Sequence, residues 1–176
     1  MAFSLYEAII PSYRQTLGAI GGLLGKAEAY CDAQKLAAED LIQARLAPDM
    51  LPFAYQVKST AVHSLGAIEV LRKGVFSPDM TPPPQTFLAL KSKIADALAA
   101  LETIDAAEVD SYLGRDMRFA FGERQINFTA ENFLLSFSQP NFYFHATTAY
   151  DILRWKGLPL GKRDFMGQLR IAAGPK

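Results

Sequence analysis

His63 and His145 are the only two imidazoles in this chain, and the second lies where neighbouring residues could use it. It falls inside QPNFYFHATTAYDILRWKGLPLGK, residues 139–162. The run predicts a long closing helix. Pro140 suits a first turn, where its missing N–H is an orphan anyway, and Gly157 with Pro159 ends the element. Phe142, His145, Ala149, Ile152 and Lys156 recur at helical spacing, so one face can be followed into a core. Asn141, His145 and Thr148 form an overlapping polar stripe. An imidazole so placed could ligate a metal or act as a general acid–base at a pocket floor. The plainer reading is a neutral core histidine hydrogen-bonded to Asn141 or a carbonyl, because buried polar groups mostly need partners. Farther upstream Gln56 and His63 are seven residues apart, two turns along one helical stripe. Gln56, Asn141 and His145 could together make a neutral cluster that binds a small ligand or a buried water. Tyr55, Tyr150 and the aromatic run 142–144 read as packing around it rather than as a cofactor box. No metal-ligand spacing surrounds His63, which therefore reads as a core residue.

Other constellations fail on inspection. GGLLGK (21–26) has Ile20 where a phosphate loop needs glycine, Ala27 where it needs Ser or Thr, and no preceding strand. The carboxylates are scattered over helix surfaces, with no Glu-x-x-His pair for a di-iron site. No G-x-S-x-G elbow or nucleotide-binding glycine fingerprint occurs. Cys31 has no nearby histidine or second cysteine and reads as inert.

The chain has 176 residues, half of them hydrophobic, with 18 basic and 18 acidic side chains. That size suits one domain, residues 1–176, with a sizeable core. A balanced charge gives no electrostatic footprint for nucleic acid and no polybasic segment for a membrane. The start MAFSLYEAIIP lacks the features of a signal peptide, and no apolar run reaches the roughly 20 residues of a membrane span. One cysteine allows no internal disulfide, and a cytoplasmic location is expected.

The elements that must position the histidines can be read from periodicity. A first long helix is predicted over 4–33, with Ser4 and Glu7 as a capping box and Pro11 forcing a kink or a later start. A short helix at 37–44 precedes ARLAPDM (44–50), where Asp49 could cap the next helix. That second long helix is predicted over 50–73 and carries Tyr55, Gln56 and His63. FSPDMTPPPQ (76–85), with four prolines, reads as a stiff surface connection. A third helix follows over 85–102, then a short one at 106–112. From 115 to 129 the period becomes two: Met117, Phe119 and Phe121 alternate, as do Ile126 and Phe128, around GERQ. This predicts a β-hairpin with a turn of about four residues, lying on the helices by its phenylalanines. A helical piece at 130–136 leads into the closing helix, and Phe165 in the tail returns to the body.

Three stretches, ARLAPDM, PNFYFHATTAYDILRWKG (140–157) and GKRDF (161–165), resemble a bacterial family of unknown function within the DinB/YfiT-like superfamily. The resemblance spans essentially the whole chain. It implies an all-α fold, a DinB/YfiT-like four-helix bundle with a small β-hairpin between helices three and four. It says little about activity, since one fold hosts many functions. Metal-binding members of the superfamily carry three histidines, one on helix two and an HxxxH pair on helix four, and several are thiol-dependent transferases. By that likeness His145, nine residues before Arg154, is the second histidine of the pair. Asn141 takes the first position and Gln56 the helix-two position, with His63 left open as an alternative. Amides are poor partners for zinc or nickel beside imidazole. The expectation is therefore a small-ligand-binding or non-catalytic bundle with a degenerate metal site and no cofactor. The alternative is a divalent-metal enzyme, zinc or nickel, held by His145 and His63. Expected partners are a second copy of the chain or a small molecule at Tyr55, Gln56, Asn141, His145 and Thr148.

Overall fold

The structure, a computed structural model, describes residues 4–172. Helix α1 (Leu5–Gln34) starts where Ser4 Oγ accepts the Glu7 N–H, satisfying one of the orphan donors of a first turn. It passes Pro11 without a break, so the later start allowed by the sequence does not occur. Lys35, in the left-handed region at φ 55°, ends it. After α2 (Ala38–Ile42), the loop delivers Pro52, not Asp49, as the residue before α3 (Phe53–Ala61). Proline there costs little, because the first helical N–H groups have no intrahelical acceptor. The Phe53 N–H instead finds the Ala44 carbonyl at 2.8 Å.

Helix α3 continues through a π-helical turn, Val62–Gly66, into α4 (Ala67–Leu71). Gly74, at φ 70°, then turns the chain into β1 (Val75–Phe76). Thr86 caps α5 (Phe87–Glu102) by accepting from the Ala89 N–H, and Asp105 caps α6 (Ala106–Asp110) likewise. Strands β2 (Asp116–Phe121) and β3 (Arg124–Thr129) pair antiparallel, with Phe119 opposite Ile126. The expected hairpin is present, with two corrections. Phe121 pairs directly with Arg124, so the turn is Gly122–Glu123 rather than four residues, and Gly122 takes φ 55°. A short turn of this hand matches the twist of the flanking strands, and glycine suits its positive φ. The sheet also has a third strand, since β1 pairs parallel with β2, Phe76 beside Phe119. Two residues show no alternation to read; only the tertiary partner makes them a strand. Met117 is buried, and Phe119 and Phe128 pack on the core, whereas Phe121 points outward.

The last long helix differs most from expectation. α7 (Ala130–Asn132), a π-helical stretch Phe133–Ser138 and α8 (Gln139–Trp155) run on without interruption. Pro140 is therefore not at a helix start. A proline there removes one backbone donor and crowds the preceding turn, and the widened π turn immediately before it is a known way to absorb such a defect. Last comes α9 (Lys162–Met166), with Phe165 against Tyr150 and the Met166 carbonyl accepting from Gln15 Nε2 at 2.8 Å.

The fold is mostly helical. α1 packs on α5 and α8, and α3 packs on the same two, around one core. Fully buried Ile9, Tyr13, Leu17, Leu24, Phe53, Phe133 and Phe142 fill it, each large apolar side chain contributing roughly 1.5–3 kcal/mol. Among the described residues no helix is long and apolar enough to cross a membrane.

Candidate functional site

The two π turns face one another. His63 lies in the first and Ser138 at the end of the second. The Ser138 hydroxyl donates to the His63 carbonyl at 3.0 Å, and His63 Nδ1 lies 3.4 Å from the same oxygen. A hydroxyl has one proton, and the carbonyl takes it. The ring nitrogen is therefore the donor of the longer bond, and His63 is the Nδ1–H tautomer. Gln56 and His63, seven residues apart, share one stripe of the helix, which is how α3 and its π continuation bring both to α8.

His145 sits one helical turn past Asn141 on α8, and its Nδ1 lies 2.7 Å from Gln56 Oε1. The same carboxamide donates from Nε2 to the Leu51 carbonyl at 2.8 Å. A carbonyl only accepts, so the Gln56 nitrogen must face Leu51 and its oxygen must face His145. That fixes the Nδ1–H tautomer on His145 as well. The two imidazoles stand 5.6 Å apart with planes 17° from parallel. Each has Nδ1 committed to the protein, and neither Nε2 has a hydrogen-bond partner among the described residues. Burial, and for His63 also the proximity of His145, brings the His63 pKa down to about 4; burial does the same for His145. Both rings are neutral at pH 7.

A cavity of about 250 Å³ opens beside them. Tyr55, Phe76, Phe119, Phe137, Asn141 and both histidines line it, together with Lys58, Pro78 and Asp79. The rings interlock: His63 stacks on Phe76 at 5.5 Å, Phe119 meets Phe137 edge-on at 5.4 Å, and Tyr55 meets His145 edge-on at 5.9 Å.

Of the residues singled out by sequence, Tyr55, Asn141, His145 and His63 border this cavity, and Gln56 stands behind His145. His63 is therefore at the site and not in a remote part of the core. Asn141 does not join the Gln56 cluster; its Nδ2 donates to the Phe137 carbonyl at 2.7 Å. Thr148 is spent on its own helix, donating to the Phe144 carbonyl at 2.7 Å, and lies off the cavity wall. Hydroxyls and amides on a helix commonly find a carbonyl one turn back, a local competitor that the stripe pattern does not reveal.

Lys58, Asp79 and Ser138 were not legible as site residues. Lys58 is only 2% exposed, and its ammonium meets the carbonyls of Asp79 (2.9 Å) and Thr81 and the Asp79 carboxylate at 3.1 Å. All three donors of the ammonium are thus committed. They tie the proline-rich connection to α3 and make it the cavity's roof. The one sequence signal was a lysine beside the apolar positions Ala54, Val57 and Ala61, which an ordinary solvated face also explains.

Among the described residues no three His, Cys, Asp or Glu side chains group together. Where the superfamily likeness puts imidazoles, the Gln56 and Asn141 amides are turned to backbone carbonyls, and Gln56 oxygen directly occupies His145 Nδ1.

Among solved structures to which this chain is similar is the crystal structure of a DinB family member protein from Shewanella denitrificans. It is similar to this chain with a TM-score of 0.80 and 25% identity, covering 96% of this chain and 95% of that one. No curated protein matches the chain. The family described as Domain of unknown function (DUF1993) matches residues 5–166, and the chain belongs to that family.

Proposed function

We propose that this protein is a DinB-like four-helix bundle that binds a small molecule between α3 and α8, at a site where superfamily metal ligands have been replaced. The observation that carries this reading is the Gln56–His145 hydrogen bond at 2.7 Å, anchored by Leu51. A metal shared by those two positions would need each donor lone pair free and about 2.0–2.1 Å from the ion. Here Gln56 and Asn141 offer carboxamides already engaged with protein groups, so of the three positions only His145 keeps an imidazole lone pair, on Nε2, for an ion. Losing even one supporting interaction typically lowers metal affinity about 10–100-fold, and here two of three imidazole positions are amides. What is left is a small aromatic-walled cavity with a few placed polar atoms, the usual make-up of a ligand pocket.

A second reading, a zinc- or nickel-dependent enzyme of the thiol-transferase kind, draws on one observation: His63 and His145 border the same cavity. Protein prepared without an affinity tag separates the two. The ligand-pocket reading expects less than stoichiometric metal by elemental analysis, and histidine ring resonances that shift with millimolar aromatic fragments. Stoichiometric zinc or nickel that disappears in His145→Ala would overturn it in favour of the enzyme.

A further inference from the structure

The two imidazoles leave the same kind of group facing the cavity. His63 and His145 use their Nδ1 protons on Ser138 and Gln56, so each Nε2 is a lone-pair acceptor. Asn141 spends one N–H on Phe137 and keeps Oδ1 as an acceptor and a second N–H as a donor, so it does not decide the polarity. Lys58, the one cation on the wall, has its three donors on Asp79 and Thr81. The Asp79 carboxylate borders the same space but is paired with that ammonium, so an incoming anion meets no free cation among the described residues. The Tyr55 and Ser59 hydroxyls can either donate or accept and do not decide the polarity. The remaining wall is aromatic, from Phe76, Phe119 and Phe137. Resting on the ligand-pocket reading above, we propose that the occupant is a non-anionic aromatic molecule carrying an N–H or O–H donor, held by the two Nε2 acceptors.

Size agrees with a single substituted ring. A cavity of about 250 Å³ exceeds the roughly 150 Å³ that accommodates benzene in a dry protein interior. Charge selection has a second support: a ring with a pKa near 4 is protonated about once in a thousand at pH 7. A carboxylate that required an imidazolium partner would forfeit affinity accordingly.

Three near-isosteric probes test this on tag-free protein at pH 7: benzamide, benzoate and acetophenone. They offer an N–H donor, an anion and a methyl group at one position. Histidine ring chemical shifts report binding at the site. Benzamide should bind at least about tenfold more tightly than either of the others, the scale of one hydrogen bond to a buried acceptor. In His145→Phe the preference for benzamide over acetophenone should shrink several-fold. Equal binding of acetophenone would overturn the donor requirement, and equal binding of benzoate would overturn the charge selection. Either result would leave the ligand pocket standing. Failure of all three to shift either histidine would overturn the pocket reading together with this one. The wild-type ranking needs no variant, so a misfolded His145→Phe would not blunt the test.

Discussion

Helices α1 and α5 bring Leu17, Ile20 and Leu24 from one side and Leu90, Ile94 and Leu101 from the other into the core, with Gly21 set against Ile94. Thr16 and the hydroxyl of Tyr13 are the buried polar groups that the side chains of α1 and α5 add among the described residues. Across the molecule, α3, α8 and the π turns joined to them bury Gln56, Lys58, Ser59, Thr60, His63, Ser64, Ser138 and Thr148. Apolar burial is non-directional and tolerates any close packing, whereas a buried polar group costs free energy unless its partner is met in good geometry. The first half therefore holds the fold together. The second half is over-determined by hydrogen bonds, and both helical irregularities sit there. Such concentration of polar burial and π turns marks the part of a bundle set aside for a site.

The largest effect that would sharpen this contrast is acid sensitivity located in the α3–α8 half. The folded pKa of each histidine lies near 4 against 6.5 for a free imidazole. The unfolded chain thus takes up protons first as pH falls, so stability is full above 6.5 and is lost toward about 4. The loss should reach about 3 kcal/mol for each histidine. A His63→Gln, His145→Gln double variant should show a flatter stability–pH slope between pH 6.5 and about 5, where few carboxylates titrate. An unchanged slope would mean that the pair is not buried and neutral.

Next in size is Leu17→Ala on the apolar side. The residue is fully buried, and the truncation should remove about 2–5 kcal/mol, read from the urea midpoint at constant slope. Benzamide binding by the folded fraction should stay the same, because the change lies outside the cavity wall; a loss of binding would mean the two halves are not separable.

Lys58→Ala comes third, at about 2–4 kcal/mol, since it cuts a buried ammonium from two carbonyls and a half-buried carboxylate. Unlike Leu17→Ala, it should also raise amide hydrogen exchange locally in residues 77–85. Protection there equal to wild type would show that another contact holds the roof.

The smallest effect has the opposite sign. A Cβ on Gly22 of α1 meets nothing within 4 Å, so Gly22→Ala should stabilise the chain by about 0.5–1 kcal/mol through helix propensity alone. A destabilised Gly22→Ala would mean that this exposed stripe is covered by something in solution.

Periodicity in the sequence was sufficient for the presence of the long helices, for the hairpin and for the placing of His145 on α8, though not for where α3 and the last long helix begin, because presence depends on residues within a few positions of one another. Ser4, Gly74, Gly122 and the alternation from Met117 to Phe121 are such local signals. The resemblance carried by PNFYFHATTAY added the superfamily. Only the tertiary structure decided the rest. The π turns at Val62–Gly66 and Phe133–Ser138 have no period of their own, and the contact of His63 with Ser138 forms between them. Strand β1 exists because β2 lies beside it. Thr148 and Asn141 were drawn off by carbonyls one turn away, and Lys58 was drawn inward by a loop 21 residues downstream. The stacking of His63 on His145 joins residues 82 positions apart. A side chain's polar partner is chosen by whichever group the packed backbone brings within about 3 Å, and linear spacing does not contain that distance.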